Sequence, residues 1–110
     1  MASFERYYSS GIGTTPTTIH TSNASDSAQA DILIGMTISN TGMSEATASA
    51  YITGAGATDV YLCKNVAIPK SGSIEVILGK VVLDNTDVVK VVSSTSQVDV
   101  WLSVLDNASA

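Results

Sequence analysis

Strict alternation in "QVDVWLSVL", residues 97–105, constrains this chain more than any other feature. Val98, Val100, Leu102 and Val104 alternate with Gln97, Asp99, Trp101 and Ser103. Successive side chains of a strand point to opposite faces, whereas a helix needs a period near 3.6 to make a stripe. A run of this kind is therefore a strand with one buried face. The same reading applies to "DILIGMTIS", where Ile32, Ile34, Met36 and Ile38 share one face opposite Leu33, Gly35 and Thr37. In "SIEVIL", Ile74, Val76 and Leu78 oppose Ser73, Glu75 and Ile77. Branched Val, Ile and Thr dominate these runs and suit a pleated, half-buried surface.

Turn chemistry falls between the runs. Asn40–Gly42, Gly54–Gly56, Pro69–Gly72, Gly79–Lys80 and Asp84–Asp87 each supply residues that preset a turn or tolerate positive φ. The pattern predicts eight or nine strands, near 4–8, 17–21, 31–39, 46–53, 58–65, 73–78, 80–83, 87–93 and 97–105. The alanines of "SEATASAYI" favour a helix, but Thr47, Ser49, Tyr51 and Thr53 alternate with Ala48, Ala50 and Ile52, so a strand is preferred. Short strands at this spacing imply an all-β fold, an antiparallel β-sandwich of Ig-like or jelly-roll-like type. The 110 residues fit one domain, 1–110. An N-terminal arm is expected at 1–12 and a polar C-terminal tail at 106–110. The polar segments 9–18 and 21–30 are expected as loops or a mobile arm.

The chemistry-bearing residues are few. Net charge is −5, and Arg6, Lys64, Lys70, Lys80 and Lys90 are dispersed among acidic residues. Nucleic-acid binding draws on clustered Lys and Arg to displace counterions, so direct nucleic-acid binding is not expected. No apolar run has the length to cross a bilayer as a helix, and "MASFERYY" has charges where a secretory signal has its apolar stretch. No membrane partner is expected. Cys63, the single cysteine, lies in the apolar context "VYLC" and reads as a small half-buried core thiol. His20, the single histidine, is expected to face outward or to the rim of its strand. One histidine and one cysteine cannot complete a zinc set without carboxylates, and no ligand spacing is present, so neither metal nor cofactor is expected. "DNTD" lacks the glycine and the bidentate glutamate of an EF-hand loop and reads as an Asx-type turn. The glycines of "GIGTTP" do not link a strand to a helix, so they form no nucleotide-binding fingerprint. With no convergent set of catalytic groups, the chain does not read as an enzyme.

Binding surfaces are the remaining route to function. Trp101 and Tyr51 fall opposite the apolar stripes, Tyr61 is expected to share a face with Asp59 and Cys63, and Phe4, Tyr7 and Tyr8 cluster near the N-terminus. Aromatic side chains are favoured interface anchors, which makes Phe4, Tyr7, Tyr8, Tyr51 and Trp101 the candidate interface residues. Packing in a second layer is the competing reading of the same rings.

The order of elements in the second half adds a resemblance. Ile68, Pro69, Ser73, Gly79, Lys80, Val82, Leu83, Asp87, Val91, Ser93 and Ser94 follow a pattern of the form IPxGxS…GKxVLxxxD…VxSS, with Gly72 one place beyond the first glycine of that form. Asp99, Ser103 and Leu105 continue it in the closing strand, and "MASFERYYSSGIGTT" with "TTIHT" matches the opening. This pattern resembles a group of small β-sandwich virion structural proteins of tailed bacteriophages. The chain departs from it in ending "LDNASA" and in lacking a "VPAG" turn within 21–35. The resemblance implies a non-enzymatic virion component, made in the host cytoplasm, whose partners are copies of itself and other virion proteins. It implies a homo-oligomer at the neck or tail, with capsid decoration as the alternative. A host-receptor or glycan-binding module working through loops 21–30, 40–45 and 54–57 ranks below both.

Overall fold

A computed structural model describes residues 3–22, 29–54, 58–77 and 79–109. Among them nine strands follow one another: β1 (Ser3–Ile12), β2 (Thr17–Thr21), β3 (Gln29–Asn40), β4 (Ala46–Thr53), β5 (Asp59–Ile68), β6 (Ser73–Glu75), β7 (Val81–Leu83), β8 (Val88–Ser93) and β9 (Val98–Ser109). No helix occurs among the described residues. One sheet has the order β1-β9-β3-β6, with β7 also pairing β3; the other has the order β2-β8-β4-β5. Every pairing is antiparallel. The chain crosses from one sheet to the other at most connections, so β1 and β2, β9 and β8, β3 and β4, and β6 and β5 occupy matching places in the two layers. This is the jelly-roll arrangement of the β-sandwich.

The core lies between the layers. Val98, Val100, Leu102 and Val104 of β9 all point into it, as the alternation requires. They meet Ala46, Ala48 and Ala50 of β4 and Val89 and Val91 of β8 from the opposite sheet. Small alanines facing larger aliphatic side chains let two sheets interdigitate at close-packed density. The turns behave as their residues dictate. Gly72 N–H donates to the Pro69 carbonyl at 3.0 Å, and Ser71 takes a positive φ of 59°. In "DNTD", the Asp84 carboxylate accepts from Asn85 N–H and the Asp87 carboxylate from Asp84 N–H, both at 2.8 Å.

Several expectations are corrected. The stripe Ile32–Ile34–Met36–Ile38 does not exist: Leu33 pairs with Val104 and Gly35 with Ser103, leaving Ile34 as an extra residue in a β-bulge. Asp31 and Leu33 therefore point inward on one side of the bulge, and Met36, Ile38 and Asn40 on the other. A second bulge at Leu62 separates Tyr61, which pairs with Tyr51, from Cys63, which pairs with Ala50 on the core side. The strand expected over 73–78 ends at Glu75. Residues 3–12, the arm segment, form edge strand β1 paired with β9, and β9 itself runs through Ser109, where it meets Gln29. Of the segments expected as loops, 9–12, 17–18, 21 and 29–30 are strand, and 23–28 lie outside the described residues.

Candidate interaction surface and a buried polar cluster

Pairing register builds the outer face of the five-stranded sheet. Phe4, Leu105, Ile32 and Val82 lie opposite one another across β1, β9, β3 and β7. Tyr8, Trp101, Thr37 and Glu75 form a second row across β1, β9, β3 and β6. Between the rows lies Arg6, opposite Ser103. Alternation that turns the valines of β9 inward necessarily turns Trp101 outward, and the same holds for Phe4 and Tyr8 on β1. Phe4 is 79% exposed, Tyr8 60% and Trp101 48%.

These rings are organised. Tyr8 and Trp101 stack with centroids 5.2 Å apart and planes 9° from parallel. The Arg6 guanidinium lies 5.5 Å from the Tyr8 ring and 5.8 Å from that of Trp101, a cation–π arrangement that holds the charge over the stacked pair. Beside the rings is a shallow depression of about 260 Å³, lined by Tyr8, Trp101, Thr37, Ser39 and Asp99 among others. A rigid aromatic platform with a cation above it and hydroxyls alongside is suited to docking another surface rather than to bond-making chemistry.

The other two candidate interface residues stand elsewhere. Tyr7 points inward and packs on the core. Tyr51 is only 6% exposed, on the outer face of the second sheet beneath Tyr61, whose ring centroid is 4.9 Å away. Burial first, then the Asp59 carboxylate and Tyr61, pushes the Tyr51 phenol above its ordinary value. Lys64 Nζ sits 4.9 Å over the Tyr61 ring on the exposed side. Cys63 is half-buried against the core, and burial raises its thiol. In the loop at 40–45, the Asn40 side chain is turned inward and committed to backbone groups. Residues 23–28 and 55–57, which make up most of the other two loops, lie outside the described residues.

A second cluster was not legible in the sequence. His20 is buried at 4% exposure, contrary to the expected rim position. Thr18 pairs with Lys90 and His20 with Val89, so Ile19 is a bulge residue, and both Ile19 and His20 turn into the sandwich. His20 Nε2 lies 2.7 Å from Asp31 Oδ2 and 3.6 Å from Asp106 Oδ1. The Tyr7 hydroxyl donates to Asp106 Oδ2, and its ring stacks on the imidazole with centroids 4.1 Å apart. The four residues come from β1, β2, β3 and β9, so the cluster links the two sheets. The only sequence signal was an aspartate at the head of an otherwise apolar strand, "DILIG", and that residue reads equally well as a solvated strand end.

No protein-family model and no curated protein matches the chain. Among solved structures, a chain from the infectious bursal disease virus Gx strain superposes with a TM-score of 0.58 over 97% of this chain, at 13% identity. A chain from the Gt strain of the same virus gives a TM-score of 0.47 over 97%, at 12% identity. The present chain spans about a third of the length of those chains, 32% and 33%. At such identity the likeness to the Gx-strain chain establishes the shared β-sandwich fold.

Proposed function

We propose that this protein is a non-enzymatic structural component of a virus particle, assembling with copies of itself through the outer face and free edge of the five-stranded sheet. One observation carries the reading: the exposed Phe4–Arg6–Tyr8–Trp101 surface, built on paired strands and not on loops. Large aromatic side chains held rigid before binding lose little entropy when a partner covers them. Among the described residues β1 is the end strand of its sheet, and a sheet edge is a second means of joining subunits. Likeness of fold to a chain of a virus particle supports the same role, as does the resemblance to tailed-phage structural proteins.

Within the particle, the phage resemblance favours a ring at the neck or tail, where identical subunits repeat one interface around an axis. A place on the capsid surface is the second reading, favoured by the fold shared with the bursal disease virus chain. Sedimentation of the wild-type chain against a Tyr8→Ser, Trp101→Ser double variant tests the assembly surface. The wild type forms a defined oligomer and the variant sediments as a folded monomer; an unchanged oligomer removes this face from the interface. Locating the protein in a particle reconstruction separates the neck, tail and capsid positions.

A further inference from the structure

We propose that His20, Asp31 and Asp106 form a site for a zinc-class divalent cation that ties β2 of one sheet to β3 and β9 of the other. The three side chains are buried, and one ligand atom from each lies within 4.8 Å of the others. Around a tetrahedral zinc ion with bonds of about 2.0–2.1 Å, neighbouring ligand atoms stand about 3.4 Å apart. The 3.6 Å between His20 Nε2 and Asp106 Oδ1 already matches that spacing. The 2.7 Å hydrogen bond from His20 to Asp31 has to open by roughly 0.7 Å to reach it.

Charge and donor type select the ion. Beside the imidazole, the two carboxylates carry a formal charge of −2. A divalent cation cancels it and uses the imidazole in the neutral form that metals bind. One nitrogen and two carboxylates are too few donors for calcium, which takes six to eight oxygens, and suit zinc with a further exogenous ligand. Tyr7 completes the arrangement from outside. Its hydroxyl holds Asp106 Oδ2 while Oδ1 is the oxygen nearer the imidazole, the outer-sphere orientation typical of ligating carboxylates.

The test uses the full, untagged chain after treatment with a chelator. Zinc chloride is titrated while heat uptake and melting temperature are followed, with calcium and magnesium chloride as parallel arms. One equivalent of zinc is expected to bind, and the melting temperature to rise by on the order of 10 °C at a free concentration about 100 times Kd. Because His20 is the only histidine, its ring nitrogens can be read by NMR without any substitution. Zinc is expected to move Nε2 into the metal-bound range and leave Nδ1 protonated. No zinc uptake, uptake that leaves the His20 ring signals unmoved, or a response to calcium alone overturns the proposal. Cys63→Ser is expected to bind zinc unchanged, and loss of binding in it assigns the metal to the thiol and also overturns the proposal. Tyr7→Phe is expected to weaken binding about 10–100-fold; undiminished affinity removes Tyr7 from the site.

Discussion

Asn40 shows how much one buried polar side chain does in this fold. Its amide donates to the carbonyls of Ser44 at 2.8 Å and Ile68 at 3.1 Å, and its carbonyl oxygen accepts from Gly42 N–H at 2.9 Å. It thereby joins the end of β3 to the end of β5 and shapes the turn between β3 and β4. Asn40→Ala strands backbone groups away from water and is expected to destabilise by about 2–3 kcal/mol in urea titrations. Pro69 and Gly72 act by shape. A Cβ on Gly72 would meet Pro69 Cγ at 2.8 Å, which is why the turn ends in glycine. Two titrating groups make stability depend on alkaline pH. Burial lifts the Cys63 thiol above its ordinary 9.0 and, with Asp59 and Tyr61, the Tyr51 phenol above 10.0. The unfolded chain therefore releases these protons first. Their contribution is intact below about pH 9 and is lost as pH rises through the folded values. Urea midpoints that stay level to that pH and then fall bear this out, and Tyr51→Phe removes the phenol's share; a midpoint that climbs there contradicts it.

At the scale of the element, bulges decide which side chains reach the core. Leu33→Ala is expected to cost about 2–5 kcal/mol, because it empties a fully buried position. Ile34→Ser, on the exposed bulge, is expected to change stability by less than about 0.5 kcal/mol. Simple alternation across residues 32–38 predicts the reverse, so the pair of urea titrations tests the bulge directly. The positions of the strands were legible: 17–21 and 46–53 agree residue for residue, and most others shift by a few residues. A bulge inserts one residue without any compositional mark, so the phase beyond it was not legible. The same reason hid His20, whose inward turn depends on the bulge at Ile19. Removing residues 1–10 is a further test. As an arm they would be dispensable for folding, but as β1 they cover the edge of β9 and carry Tyr7 into the core. Their deletion is expected to lower the melting temperature, as calorimetry can show, as well as to weaken assembly.

For the whole molecule, closure depends on contacts between distant parts of the chain. β1 pairs with β9, so Ser3 meets Asp106 and Phe4 meets Leu105 across almost the full sequence. Such pairing requires large loops to close before native contacts form, and stopped-flow refolding is expected in the millisecond-to-second range. The proposed assembly surface follows from that closure, since Tyr8 and Trp101 stack only when the first and last strands are neighbours. Sequence by itself determined an all-β chain of eight or nine strands, most of its turns, and the outward side of β9 that carries Trp101. These are local matters, set by side-chain alternation and by which residues tolerate a turn. Tertiary structure alone decided the sheet order, the bulges that rephase β2, β3 and β5, and the meeting of Tyr7, His20, Asp31 and Asp106. Those depend on pairing between strands far apart in the chain, where the energy comes from burying two sheet faces together and no short stretch of sequence records its partner.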